Sequence, residues 1–134
     1  MPDTRTHRGA HPEDAKLFSD EQLPVLRQAV GDLSFLLSRG YNQNSALKLV
    51  GDRYALRERQ RNAVGRAACS NESRELRVSR LVASGQLRGA RVICDGYNII
   101  TTLECALGRG LIFRCRDTAL RDLAGLKGTY RRVE

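Results

Sequence analysis

The chain runs to 134 residues and 15.0 kDa, with 23 Lys and Arg against 15 Asp and Glu, a formal net charge of +8 and a pI of about 9.9. That length accommodates one ordinary domain or two small ones, and 41% apolar with 28% charged residues sets it among globular chains rather than disordered tails or fibres. No apolar run reaches the length of a transmembrane helix, and the polar stretch Met1–Asp20 lacks the apolar core of a secretory signal, so the expected location is the cytoplasm.

Residues 1–18 read as a flexible arm containing Pro2 and Pro12. Its two histidines, His7 and His11, have no carboxylate or Cys cluster beside them to make a metal site. A helical domain is expected over 19–85. Ser19 is placed as the first N-cap, with Gln22 as its capping-box partner, Phe18 stapled onto Leu23, and Pro24 tolerated in the first turn. Leu23, Leu26, Val30, Leu33 and Leu37 then repeat at helical spacing up to Ser38, and Gly40 supplies the stop. Asn44 opens a shorter helix carrying Leu47 and Val50, interrupted at Gly51-Asp52. From Tyr54 to about Cys69, Leu56, Gln60, Ala63, Val64 and Ala67 share one helical face, while Arg53, Arg57 and Arg61 fall at i, i+4 and i+8 on another. A further helix starts near Ser70-Asn71, carries Leu76, Val78, Leu81 and Val82, and ends by Gly85.

The charge has an unusual make-up. Lys16, Lys48 and Lys127 are the only lysines, so arginine supplies nearly all of the positive charge, and its planar fork of donors suits phosphates and base edges. Nucleic acid is therefore the leading partner class. A stripe of arginines spaced about 6 Å apart along a helix tracks successive phosphates; an arginine-rich solvated face is the competing explanation. Aromatic content of 5% with no Trp argues against a broad base-stacking platform.

A loop bounded by Gly85 and Gly89 separates the two halves, with 86–89 as the linker. Over 90–134 the period changes. Ala90–Cys94 reads as a buried strand, Asp95-Gly96-Tyr97-Asn98 as a turn, and Ile99, Ile100, Leu103, Ala106 and Leu107 as one face of a helix ending at Gly108. Leu111–Cys115 reads as a second strand, and Thr118 to about Leu126 as a helix capped by Asp117. The order β-α-β-α is the start of a parallel α/β layer. Asp95, at the carboxyl end of the first strand, stands where open α/β sheets place ligands. With parallel strands Asp117 emerges at the same edge, and paired carboxylates suit Mg²⁺ or Mn²⁺; alternatively Asp117 only caps its helix. Cys69, Cys94, Cys105 and Cys115 contain no CxxC pair and are expected as buried, reduced thiols.

The segment VICDGYNII resembles the opening motif of the PIN-like nuclease superfamily, closest to its NYN branch, whose first strand ends in a similar D-G-x-N. RGYNQNSALKLVGDRY, RQRNAVGRAAC, VICDGYNIITTLECAL and ALRDLAGLKGTYRR together resemble an uncharacterised prokaryotic family of unknown function that joins a helical N-terminal domain to such a PIN-like domain. The resemblance covers most of residues 20–134. It implies a metal-dependent ribonuclease fold in which Asp95 holds the divalent cation and Asn98 orients that carboxylate or a metal-bound water, with Asp117 and Asp122 as further acidic members.

The expected fold is thus a helical N-terminal domain followed by the first βαβα part of a PIN-like parallel sheet. The expected function is RNA binding or processing, guided by Arg53, Arg57, Arg61, Arg131 and Arg132, with a non-catalytic nucleic-acid-binding or protein-interaction module as the alternative. Two strands make a poor sheet and an incomplete metal site. Either the natural chain extends beyond Glu134 to complete the nuclease or the domain has lost its activity, and the open strand edges invite pairing with another copy.

Overall fold

The computed structural model describes residues 10–123. Six helices run in chain order, α1 (Asp14–Leu17), α2 (Leu23–Ser38), α3 (Gln43–Arg53), α4 (Glu58–Ala67), α5 (Asn71–Ser79) and α6 (Gly96–Leu107), with a 3₁₀ turn at Ser84–Leu87 before α6. Two short strands follow, β1 (Ile112–Arg114) and β2 (Leu120–Asp122), paired antiparallel with Phe113 opposite Arg121. No helix among the described residues is long and apolar enough to cross a membrane.

The core sits where α2, α3 and α4 meet. Leu26, Ala29 and Leu33 of α2, Ala46 and Val50 of α3, and Val64 of α4 form one buried cluster with Leu56 and Ala68, as the helical periodicity anticipates. Gly40, at φ +86, turns the chain out of α2. The starts shift. Asn42, not Asn44, caps α3, its side-chain oxygen accepting from the Asn44 and Ser45 amides at 3.0 and 3.3 Å. Ser19 heads a turn rather than α2, which begins at Leu23 with Pro24 in its first turn.

Two expectations in this half are corrected. Gly51 does not interrupt α3 but lies buried inside it, because the guanidinium of Arg61 packs where a Cβ would stand, 2.5 Å from its place. Residues 14–18 are not a free arm: Leu17 is buried, its carbonyl accepts from Gln60 Nε2 at 2.9 Å, and Asp14 pairs with Arg59 of α4.

The C-terminal part departs further from the expected βαβα order. Ala90–Cys94 forms no strand among the described residues. No neighbouring strand is there to take its backbone groups, and Ile93 is 91% exposed. The helix expected from Thr118 is instead a hairpin: Cys115 N–H bonds Ala119 O at 2.8 Å, Thr118 N–H bonds Cys115 O at 2.9 Å, and Thr118 takes φ +71. Asp117 explains the reversal. Its carboxylate accepts from Ala119 N–H inside the turn, as an Asx turn does, instead of capping a helix. α6 forms as expected, yet Ile99, Ile100, Leu103 and Leu107 on it remain exposed.

Leu33 is fully buried and Leu49 is 64% exposed. Leu33→Ala is expected to lower the unfolding free energy in urea by about 2–5 kcal/mol, and Leu49→Ala by no more than about 0.5 kcal/mol. Equal losses would contradict the placement of the core.

Candidate nucleic-acid interface

Asp95 ends the extended segment and occupies the N-cap position of α6, but its side chain makes no capping bond to the backbone. Its Oδ2 accepts instead from Asn98 Nδ2 at 2.7 Å. The glycine between them starts the helix, and three residues of helical rise bring the amide back over the carboxylate. Both side chains are exposed. Seven residues past Asp95, about 10 Å along the helix, the Thr102 hydroxyl donates to Asp122 Oδ2 at 2.8 Å.

Asp117 is elsewhere in purpose. It is buried, and both of its oxygens are occupied by guanidinium groups: Arg121 donates through Nη1 and Nη2 at 2.8 Å each, and Arg77 through Nη1 at 3.0 Å. The Arg121 fork, then the Ala119 amide and Arg77, hold its carboxyl well below the usual carboxylate range against the opposing effect of burial. Arg121 is correspondingly pushed up, chiefly by Asp117. A carboxylate so engaged has no lone pair facing outward for a cation, so the expectation that Asp95 and Asp117 form one metal site does not fit the donors present. Among the described residues no group of three or more His, Cys, Asp and Glu side chains is arranged to hold a metal ion.

The arginine stripe is also broken up. Arg53 ends α3, where it lies 5.4 Å over the Tyr54 ring and 3.8 Å from Asp32. The turn Tyr54–Leu56, with Ala55 at φ 49, separates it from Arg57, the exposed N-cap of α4. Arg61 folds back as a clamp, donating to Leu56 O and to Asp52 Oδ1, each at 2.9 Å. The three side chains therefore do not form one phosphate track, because they belong to two helices and Arg61 is spent on joining them. Arg131 and Arg132 lie outside the described residues.

A second basic group, which spacing along the chain does not reveal, gathers where α4, α5 and the hairpin meet. Arg116 N–H and Nη1 donate to Ala67 O and Cys69 O at 2.9 and 2.8 Å, satisfying carbonyls at and just beyond the end of α4. Arg74 and Arg77 come from α5, Arg66 from α4, and Arg121 from β2. Arg77 and Asp117 are forty residues apart, so no local pattern links them. Cys69, Cys105 and Cys115 are buried free thiols, whereas Cys94 is exposed, a correction that follows from the unpaired segment it sits in. Burial pushes the Cys105 and Cys115 thiols up.

Two family models match successive stretches of the chain. Residues 25–80 match the family described as "Protein of unknown function (DUF434)", and residues 84–134 match "Domain of unknown function (DUF5616)". An uncharacterised protein of Methanocaldococcus jannaschii is 27% identical over 106 residues, which cover 79% of this chain and 51% of that relative. The chain thus spans about half the length of the curated relative it matches. No solved structure matches it. Both parts are similar to families of uncharacterised function.

If Asp117 is a structural counter-ion, Asp117→Asn leaves two guanidiniums without their buried partner, and unfolding free energy at pH 7 is expected to fall by about 3 kcal/mol. The acid dependence gives the sign. The folded pKa lies below the unfolded one, so this contribution is complete above the unfolded carboxylate value, about 3.9, and drains away as pH falls from there through the folded value. Urea unfolding from pH 6 downward should therefore show a steeper loss below about pH 4 in the wild type than in Asp117→Asn; parallel curves would contradict the pairing.

Proposed function

We propose that the chain is a cytoplasmic RNA-binding protein in which a helical unit is joined to part of a PIN-like, NYN-type α/β domain. The observation that carries this reading is the exposed Asp95–Asn98 pair, hydrogen-bonded at 2.7 Å at the start of α6. A D-G-x-N motif at the end of an extended apolar segment needs that geometry if its amide is to orient the carboxylate. The length of the archaeal relative, about twice the matched span, is in keeping with a domain that has further strands. A divalent cation such as Mg²⁺ or Mn²⁺ would, when bound in a complete PIN-like site, polarise a phosphodiester. Of the residues proposed for it here, Asp95 is accessible and Asp117 is committed to its arginines, so the described residues support binding rather than cleavage.

RNA contact is assigned to three of the exposed arginines, Arg57 at the start of α4, Arg74 on α5 and Arg80 at its C-terminal end. A second reading, pairing with another copy of the chain, is favoured by the exposed apolar side chains Ile93, Tyr97, Leu103 and Leu107 around the same segment.

Binding to single-stranded RNA, followed by fluorescence anisotropy across a salt series, should weaken linearly with log salt concentration. Arg57→Gln combined with Arg80→Gln should reduce the slope by about 1.4, or about 0.7 for each phosphate no longer neutralised. An unchanged slope removes these arginines from the interface. Incubation with Mn²⁺ should yield no RNA cleavage that Asp95→Asn abolishes; such cleavage would overturn the binding reading in favour of a working nuclease.

A further inference from the structure

We propose that the cleft between α4, α5 and the hairpin is a binding site for the phosphate group of a phosphate ester. The cleft has a volume of about 330 Å³ and is lined on its polar side by Arg66, Cys69, Ser70, Ser73, Arg77 and Arg121. That volume is at the low end for small-ligand sites, enough for a phosphate and a modest attached group.

Three observations point to an anion. First, among the described residues no Asp or Glu lines the cleft, while three guanidiniums do. Asp117 touches Arg77 and Arg121 without lining the cleft, so one carboxylate faces three cations and two positive charges remain. Second, Arg66 Nε is buried and has no hydrogen-bond partner among the described residues. An unmet donor on a charged group is costly, and an oxyanion neutralising the same guanidinium from the cleft would offset part of that cost. Third, the N-terminus of α5, a nine-residue helix, opens at the cleft through Ser70 and Ser73. The Ser70 oxygen accepts from Ser73 N–H at 3.1 Å, which leaves the Ser70 hydroxyl hydrogen for a ligand, and the helix terminus favours negative charge.

Asp117 is a positioning residue for this site. It grips both terminal nitrogens of Arg121 and one of Arg77, which fixes the planes of two guanidiniums that line the cleft. The site does not depend on the RNA reading. The phosphate can belong to a free monoester or to an RNA backbone, and the two sources separate by competition.

The test is calorimetric titration of the whole chain with inorganic phosphate and with uridine monophosphate at constant ionic strength, uridine serving as the control without phosphate. Saturable binding of both phosphate compounds and none of uridine is expected. Arg66→Gln should weaken it about tenfold, the loss of a hydrogen bond to a charged group, with Arg66→Lys intermediate. Ser73→Asp, which puts a carboxylate on the α5 wall of the cleft and leaves Arg66 in place, should weaken it at least as much, with the far-ultraviolet dichroism of both variants unchanged. Displacement of uridine monophosphate by single-stranded RNA identifies the backbone as an occupant, and simultaneous binding identifies a free phosphate ester; either supports the site. Absence of saturable phosphate binding by the wild type, or equal binding by the Arg66→Gln and Ser73→Asp variants, would overturn it.

Discussion

The pairing of one buried carboxylate, Asp117, with two guanidiniums holds the C-terminal part of the described chain onto the helical bundle. Arg121 reaches it from four residues on and Arg77 from forty residues back, so a single charge ties the hairpin both to itself and to α5. Burial of an isolated carboxylate is prohibitive, whereas a carboxylate with its lone pairs filled by one bidentate guanidinium, a second guanidinium and a backbone amide is tolerable. That requirement explains local features which are otherwise odd. Thr118 sits at φ +71, a conformation a β-branched residue avoids, because the turn around it is over-determined by the bonds of Asp117 on one side and the strand pairing on the other. Arg116, held in the same turn, is thereby delivered to the carbonyls at the end of α4.

The helices of the first half were legible because they follow from a periodicity that each stretch of chain carries by itself. Leu26, Leu33, Val50 and Val64 fall where a 3.6-residue repeat puts them, and Ser70 caps α5 because its hydroxyl reaches the Ser73 amide whatever lies around it. The Asp95–Asn98 contact is local in the same way. What was illegible depends on residues meeting across the fold. Gly51 reads as a helix breaker until Arg61 is seen filling the space that a side chain would need. Asp117 reads as a helix cap or a strand-end ligand, and the turn it forms instead rests on contacts with Ala119 and with Arg77 on a separate helix.

The same long-range contacts redistribute the positive charge that dominates the composition. Arg59, Arg61, Arg116 and Arg121 are spent on joining elements, so they add to the net charge without forming a surface. Arg57, Arg74 and Arg80 are among the arginines that the solvent meets, and Arg66 lines a cleft in which no carboxylate is found among the described residues. An arginine count along the chain overstates the helical stripe and overlooks the junction, where three elements bring separate arginines to one place. Around α6 the situation is reversed: the sequence carries an apolar face of the right period, and the described residues leave much of it uncovered.

The most direct test of the central pairing is the pH titration of the Asp117 carboxyl carbon by NMR in the folded protein. An ionised carboxylate locked between Arg77 and Arg121 should show no inflection in the ordinary carboxylate range, about pH 4. An Asp117 inflection in that ordinary range would mean that the arginines do not hold it, and that the hairpin is not coupled to the helices through this charge.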